Sequence, residues 1–172
     1  ISENAGWNLV SLPLNVSDQR TTTVFPTAIS SAIKFDGSYI QKDSMMNGIG
    51  YWLKFNSSQL VTMRGDSVHT DTIDVVEGWN LIGAISSPIS TSSIIEEPIN
   101  IIETGFFGYN GGYEDAITLE PGKGYWVKVN ATGKLLLRDI AVTNSVARKS
   151  NIENQFNRLT IRDANGNKQT LY

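Results

Sequence analysis

The chain has 172 residues, with 14 Lys and Arg against 17 Asp and Glu, which gives a formal net charge of −3. This balance excludes a general nucleic-acid binder, because clustered basic residues hold the phosphate backbone. No apolar run is long enough to span a membrane as a helix. Cysteine is absent, which excludes disulfides and thiolate metal sites. A charged content of only 18%, with many Ser, Thr, Asn and Gly residues, is typical of a turn-rich, exported β protein.

Alternating apolar residues predict strands along most of the chain. The pair Asp36 and Gly37 predicts a tight hairpin between two of them. Segments 23–31 and 92–102 alternate less, and we predict irregular connections there with at most one or two helical turns. The predicted strands up to the middle of the chain cover residues 7–14, 32–35, 39–40, 50–55, 59–64 and 71–76.

The same sequence pattern occurs twice along the chain. Gly6–Ser11 recurs as Gly78–Gly83 at an offset of 72 residues, and 48–55 recurs as 122–129 at an offset of 74. All four tryptophans occupy matched positions. Self-similarity of this kind marks a structural repeat.

We therefore predict that residues 5–70 and 77–143 share one sub-fold. A two-residue insertion between Pro98 and Tyr109 accounts for the change of offset. A helix that spans Gly78, or a different strand order in the two halves, would contradict this prediction.

The predicted fold class is all-β, with two homologous antiparallel units related by approximate two-fold symmetry. The units form a sandwich or a barrel-like pair around one core, because a single repeat of about 74 residues is marginal on its own. We assign residues 1–70 to repeat 1, 71–143 to repeat 2 and 144–172 to a linker and a hairpin. This hairpin either packs back on the repeats or begins a following domain. Both ends of the chain look like cuts through a longer protein.

The spacing of residues 50–64 predicts a hairpin in which Gly50 to Phe55 pairs with 59–64. Matching apolar with apolar positions places Trp52 opposite Arg64, and the second repeat places Trp126 opposite Arg138 in the same way. A guanidinium over an indole stabilises such a pair by about 0.5–1 kcal/mol when exposed. We therefore predict two structural cation–π pairs on the face away from the main core.

The motifs Gly-Trp-Asn, Asp-Gly-x-Tyr and Gly-x-Gly-Tyr-Trp-x-Lys together resemble a known family of tandem modules. These modules decorate large exported proteins of bacteria and some archaea, commonly after protease, adhesin or other cell-surface domains. The resemblance covers residues 5 to 143, and residues 157–163 look like the start of the β module that often follows. It implies secretion or a cell-surface location and an accessory role. It implies no catalytic activity and no defined ligand.

Neither catalytic nor metal chemistry is favoured by the polar residues. The single histidine, His69, lies near Asp66, Asp71 and Asp74, but the spacing lacks the bidentate Glu and fixed Gly of an EF-hand. A second Asp- and Asn-rich loop, 163–167, is sufficient as a hairpin turn. No nucleophile-elbow motif is present, and no acidic pair recurs between the repeats. We expect no catalytic centre, no cofactor and no required metal.

Aromatic residues in matched positions carry the remaining hypothesis. We predict a non-catalytic structural or interaction module of a larger exported protein, with the neighbouring domains of that protein as its partners. The alternative is a carbohydrate-binding module for a glycan or another cell-surface component, and a hydrolase fragment is a distant third. A glycan binder should expose two or more aromatics on one concave face, whereas a spacer should bury them. The residues proposed for glycan contact are Tyr39, Trp52, Arg64, Tyr113, Trp126 and Arg138.

Overall fold

The computed structural model describes residues 1–139 and the strands Leu159–Arg162 and Lys168–Leu171. The chain divides into two compact units, Ile1–Asp139 and Ile140–Tyr172, and the first contains nearly all of both sequence repeats. Antiparallel sheets dominate the described residues and none of them closes into a barrel, so the all-β fold class is confirmed. Within the same residues, no helix has the length and apolar character needed to cross a membrane.

Short strands make up most of each repeat. A single helical turn overlaps the start of each segment predicted to be an irregular connection, and the second of these segments also contains a strand, Ile95–Glu97. In chain order, the first repeat contains β1 (Ser2–Glu3), β2 (Gly6–Ser11), β3 (Leu14–Asn15), the helix α1 (Thr21–Val24), β4 (Ala32–Phe35), β5 (Tyr39–Lys42), β6 (Gly50–Phe55), β7 (Gln59–Leu60) and β8 (Asp66–Ser67). The second contains β9 (Thr70–Val75), β10 (Gly78–Gly83), β11 (Ile89–Ser90), a 3₁₀ turn (Thr91–Ser93), β12 (Ile95–Glu97), β13 (Phe106–Tyr109), β14 (Tyr113–Ala116), β15 (Thr118–Leu119), β16 (Gly124–Val129) and β17 (Gly133–Arg138).

The two repeats have the same central sheet, which confirms the predicted sub-fold. The strand order is β2-β6-β4-β5 in the first repeat and β10-β16-β13-β14 in the second. Matched residues also pair in the same register: Gly6 lies opposite Phe55, as Gly78 lies opposite Val129. The predicted hairpin at Asp36 and Gly37 joins β4 to β5.

The insertion in the second repeat lies just after Pro98. Ala28 forms a β-bridge with Phe55, and Ile102 forms the matching bridge with Val129. The offset is therefore already 74 at Ile102. The two inserted residues lie between Pro98 and Ile102, at the start of the region predicted for the insertion.

The predicted pairing of Gly50–Phe55 with 59–64 is wrong. Both hydrogen-bonding edges of β6 are occupied, one by β2 and the other by β4. Strand β7 pairs with β1 instead, so β6 and β7 are successive parts of one strand that follows β2 and β1 around a bend. The second repeat repeats this arrangement, with β16 on β10 and β17 on β9. Bends of this kind carry a strand from one sheet into the next.

The bend in each repeat is held by the asparagine of the Gly-Trp-Asn motif. The Asn8 Oδ1 accepts a hydrogen bond from the Asn4 N–H (2.9 Å), and the Asn8 amide donates to the carbonyls of Asn4 (2.8 Å) and Gly6 (3.1 Å). Asn80 makes the same three bonds in the second repeat. Gly6 itself has a φ of 91°, a conformation that favours glycine.

Each central sheet buries one face in the core of its own repeat. The tyrosines of the Gly-Tyr-Trp motif belong to these cores, and their hydroxyls accept hydrogen bonds from backbone N–H groups. Tyr51 bonds to Met46 (3.0 Å) and Tyr125 to Glu120 (2.8 Å). A buried phenol with its hydroxyl satisfied has a structural role.

The two repeats are joined by symmetric backbone contacts. The Ser11 N–H donates to the Gly122 carbonyl (2.8 Å), and the Gly83 N–H donates to the Gly48 carbonyl (2.9 Å). These bonds are equivalents of each other, as expected for a two-fold interface in which each side offers the same surface. A Cβ at Gly50 would lie 2.6 Å from the carbonyl oxygen of Ile82, so the close approach of the repeats requires glycine there.

In the second compact unit, strand β18 (Leu159–Arg162) pairs with strand β19 (Lys168–Leu171) in antiparallel register. The predicted linker over 144–157, the end of the last repeat strand at 140–143 and the turn at 163–167 lie outside the described residues.

One buried carboxyl breaks the match between the repeats. Glu3 is 1% exposed and occupies the position that Val75 holds in the second repeat. The Glu3 Oε2 lies 3.1 Å from the Lys123 Nζ, while Oε1 has no hydrogen-bond partner within the described residues. Burial raises the pKa of the Glu3 carboxyl, and Lys123 only partly opposes the rise.

Replacing Glu3 with glutamine is therefore expected to stabilise the protein at pH 7. A carboxyl whose pKa is raised by folding binds its proton more tightly in the folded state, so its unfavourable contribution appears as the pH rises through the folded pKa. Urea unfolding should give the Glu3→Gln variant the higher free energy of unfolding at pH 7. The difference from the unsubstituted protein should vanish below pH 4.5, the ordinary pKa of a glutamate carboxyl. A variant less stable at pH 7 would show that the Lys123 pair outweighs burial.

Candidate functional site

Each central sheet carries a second face, rich in aromatic side chains, that points away from its own core. Alternation along β6 buries Tyr51, Leu53 and Phe55 in the core and places Trp52 on the opposite face. Trp52 lies opposite Leu9 on one neighbouring strand and Ile33 on the other. The matched row in the second sheet consists of Leu81, Trp126 and Phe107.

These two faces meet at the interface between the repeats. The ring centre of Phe35 lies 4.9 Å from that of Trp126, and the matched rings of Tyr109 and Trp52 lie 4.8 Å apart. Both pairs are edge-to-face, a favoured aromatic geometry. Leu9, Leu81 and Trp126 are buried at the centre of this interface. Aromatic rings of each repeat thus pack against a tryptophan of the other.

Two open clefts border this interface, with volumes of about 460 Å³ and 450 Å³. These volumes fall within the usual range for small-molecule sites. The first cleft is lined by Trp7, Ile33, Tyr39, Trp52, Tyr109 and Tyr113. The second cleft is lined by Phe35, Tyr39, Trp79, Phe107, Tyr113 and Trp126.

The same pseudo-two-fold relation connects the two clefts. Each lining residue of the first cleft has its sequence-matched partner in the second, at an offset of 72 or 74. Tyr39 and Tyr113 are each other's partners and line both clefts. They therefore form a wall that the two clefts share.

The clefts leave large aromatic surfaces open to solvent. Tyr39 and Tyr113 are 61% and 60% exposed, and Trp7 and Trp79 are 40% and 43% exposed. Matched exposure at both pairs indicates that this surface is a property of the repeat, since an isolated exposed side chain would not recur.

Polar groups at the cleft walls are mostly phenol hydroxyls. Desolvation raises the pKa of Tyr113, and the neighbouring hydroxyls of Tyr39 and Tyr109 add to the rise, while the indole N–H of Trp126 opposes it. This group is therefore neutral at physiological pH. The Trp126 Nε1 is itself buried and makes no hydrogen bond of ordinary geometry within the described residues, although it lies close enough to the Tyr113 hydroxyl to lower its pKa. The wall thus offers hydroxyls that both donate and accept hydrogen bonds.

The structure brings four of the six residues proposed for glycan contact into the clefts: Tyr39, Trp52, Tyr113 and Trp126. Arg64 and Arg138 line neither cleft. Arg138 lies opposite Thr70, in the sheet formed by β12, β17 and β9, so the predicted Trp126–Arg138 neighbours are on different sheets.

The predicted cation–π pairs are consequently wrong, because the hairpin on which they depended does not form. The cation–π contact found among the described residues joins Lys54 to Trp7, with the Lys54 Nζ 5.8 Å from the ring centre. These two residues lie directly opposite each other on β6 and β2.

Sequence reasoning missed six of the lining residues as ligand contacts, and four of them do not belong to the matched tryptophans: Ile33, Phe35, Phe107 and Tyr109. The signal that identifies them is alternation along β4 and β13, which places Ile33 and Phe35 on one face and Phe107 and Tyr109 on the matched face. Trp7 and Trp79, which belong to the matched tryptophans of the repeat, are also lining residues.

The described residues contain one grouping of Ser, Asp and His side chains. The Ser87 Oγ lies 2.5 Å from the Asp139 Oδ2, and the His69 Nδ1 lies 3.5 Å from the same oxygen. Asp139 lies between the other two, so His69 is not placed to remove the serine proton as in a hydrolase triad. In the same part of the chain, no three His, Cys, Asp or Glu side chains group closely enough to hold a metal ion.

Comparisons with known proteins give no match: no protein-family model fits the chain, and neither a curated protein nor a solved structure is significantly similar to it. The resemblance to tandem exported modules therefore stays a prediction. The geometry of the clefts is the basis for assigning a function.

Proposed function

We propose that this chain is a non-catalytic binding module of a larger exported or cell-surface protein, and that its two aromatic clefts bind carbohydrate. The observation that carries the proposal is the pair of matched clefts with exposed Tyr and Trp rings on a rigid β scaffold. The location is proposed from the composition and the resemblance of residues 5–143 to exported modules.

A sugar ring matches both the apolar rings and the hydroxyl groups of these clefts. Its C–H groups form flat apolar faces that pack on indole and phenol rings. Its hydroxyls both donate and accept hydrogen bonds, which suits the hydroxyls of Tyr39 and Tyr113 at the shared wall. A purely apolar ligand would leave these hydroxyls without partners where it covers them.

A purely structural role accounts for the buried aromatics but not for the exposed ones. Leu9, Leu81 and Trp126 are buried together where the repeats meet, and Phe35, Trp52, Phe107 and Tyr109 pack against them. A spacer has no use for Tyr39 and Tyr113 at 61% and 60% exposure. The proposal of a binding function rests on this exposed set.

The non-catalytic part of the proposal is supported by the titratable groups of the clefts. The lining side chains that can titrate are phenols, namely Tyr39, Tyr109 and Tyr113, whereas the carboxylates Glu103 and Asp115 beside the second cleft are not among its lining residues. Glycoside hydrolysis canonically requires a pair of carboxyl groups across the scissile bond. A binding site needs no such pair.

Replacing Tyr39 or Tyr113 with alanine is expected to weaken oligosaccharide binding at least tenfold, because each ring lines both clefts. A glycan array should first identify a bound oligosaccharide, and isothermal titration calorimetry should then measure its affinity. The thermal midpoint should change little, since both side chains are more than half exposed. Tyr113→Phe keeps the ring and should retain most of the affinity.

Leu60→Ala provides the matched control, because Leu60 is 82% exposed and lines neither cleft. It should leave the affinity unchanged. Binding that survives in both alanine variants, or an array without any bound glycan, would overturn the proposal. Binding of a proline-rich peptide instead would assign the clefts to another class of ligand.

A further inference from the structure

The two clefts differ in charge, although their aromatic linings match. Lys54 and Lys128 hold matched positions, one beside each cleft. The Lys128 Nζ lies 2.9 Å from the Glu103 carboxylate. In the first repeat, the position of Glu103 is occupied by Ile29, and both residues donate their backbone N–H to the carbonyl of the matched lysine. The cation beside the second cleft is therefore neutralised, while its counterpart beside the first has an apolar neighbour.

A second matched position carries the same difference. Gln41 lies directly opposite Ile33 on the face of the first cleft, and Asp115 lies directly opposite Phe107 on the face of the second. Two positions that are uncharged beside the first cleft are thus carboxylates beside the second. Both differences add negative charge beside the second cleft and none beside the first.

Lys54 lies beside the first cleft, next to Trp7, which is one of its lining rings. Its Nζ lies 5.8 Å from the centre of the Trp7 ring, and no carboxylate of the described residues lies within ion-pair distance of it. A sugar ring that packs on an aromatic face presents its substituents at the ring edge. An anionic substituent there would meet the Lys54 ammonium group, and a hydrogen bond between two charged groups is stronger than one between neutral groups.

We infer that the first cleft selects a sugar residue with an anionic substituent, a carboxylate or a sulfate, and that Lys54 is its partner. The second cleft, with Lys128 paired to Glu103, takes a neutral sugar residue. The inference rests on the proposed function, since it names the class of carbohydrate bound. It makes Lys54 a specificity-determining residue.

Matched pairs of oligosaccharides test the inference. Calorimetry should compare oligogalacturonate with its methyl ester, a hyaluronan oligosaccharide with its methyl ester, and a sulfated oligosaccharide with its desulfated form. In at least one pair the anionic form should bind about fivefold more tightly, in line with a partly exposed ion pair. The preference should shrink as salt is raised, because exposed charges are screened. A preference in a methyl-ester pair indicates that the cleft selects a carboxylate, and a preference in the desulfated pair indicates that it selects a sulfate.

Three variants test whether Lys54 causes the preference for the anionic oligosaccharide. Lys54→Gln should abolish the difference between the anionic and neutral forms. Lys42→Gln removes the same charge from β5 on the side away from the cleft and should leave the difference intact. Glu103→Ile places in the second repeat the residue that the first repeat has at this position. It removes the ion pair with Lys128 and should therefore raise the affinity for the anionic form.

The outcomes separate this inference from the proposed function. Oligosaccharide binding without any anionic preference, or a preference that persists in Lys54→Gln, would overturn the inference and leave the carbohydrate proposal standing. Failure of every oligosaccharide to bind would overturn both. A preference that disappears only in Lys54→Gln supports both.

Discussion

Replacing Gly83 with serine is expected to lower the free energy of unfolding by about 3 kcal/mol, at the upper end of the usual cost of overpacking. A Cβ at this position would lie 2.9 Å from the Ile49 carbonyl oxygen and 2.9 Å from the Ser11 Cβ. Ser11 is the residue matched to Gly83 in the first repeat. The space between the repeats at this point therefore holds one side chain and not two.

The matched variant Ser11→Gly tests this explanation. It removes an Oγ that donates to the Lys123 carbonyl (2.8 Å) and accepts from the Ala84 N–H (3.2 Å), so a loss of about 1–2 kcal/mol is expected. The double variant, with serine at 83 and glycine at 11, should be more stable than the sum of the single losses, because the serine then enters the vacated space. Urea unfolding of all four proteins gives this coupling directly. Strictly additive losses would show that the two positions do not share space.

Replacing Asn8 with alanine is expected to destabilise the protein by about 3 kcal/mol. The change removes three hydrogen bonds at a side chain that is 3% exposed, and it leaves the N–H and carbonyl of Asn4 without their partner at the bend. The matched Asn80→Ala should cost about half as much, because Asn80 is only partly buried and water can replace its bonds. Thermal and urea unfolding measure both losses.

Asn4→Ala serves as the control for these variants. The Asn4 side chain donates an exposed hydrogen bond to Asn110, so its removal should change the stability by less than about 0.5 kcal/mol. Equal losses in Asn8→Ala and Asn80→Ala would contradict the proposed dependence on burial. Asn8→Asp should also destabilise, because a carboxylate cannot donate to the carbonyls of Asn4 and Gly6.

The positions and faces of the strands could be predicted from the sequence, because they depend on local alternation. Trp52 lies on the face opposite Tyr51, Leu53 and Phe55, as this alternation predicts. The partner of each strand depends on distant residues, and the local pattern does not contain that information. The polar residues at 56–58 follow a strand in the way a hairpin turn would, but here they mark a bend within one continuing strand.

The candidate site was partly predictable for a similar reason. Tyr39, Trp52, Tyr113 and Trp126 could be identified because aromatic residues recur at matched positions. Their assembly into two clefts depends on the close approach of the repeats, which requires the absence of a side chain at Gly50. A glycine in a sequence does not reveal what approaches it. The prediction of the two arginines depended on a strand pairing that the bend prevents.

Both repeats contribute residues to each cleft, and this has a consequence for how the protein can evolve. A homodimer of single repeats would present two identical clefts, and every substitution would alter both at once. Here matched positions such as Ile29 and Glu103 are separate residues of one chain, so a substitution outside the shared wall of Tyr39 and Tyr113 can alter one cleft and leave the other as it was. Two differences are of this kind: Glu103 stands where the first repeat has Ile29, and Asp115 stands where it has Gln41. Covalent duplication thus turns a symmetric surface into one whose two halves can acquire separate preferences while they keep the contacts that join the repeats.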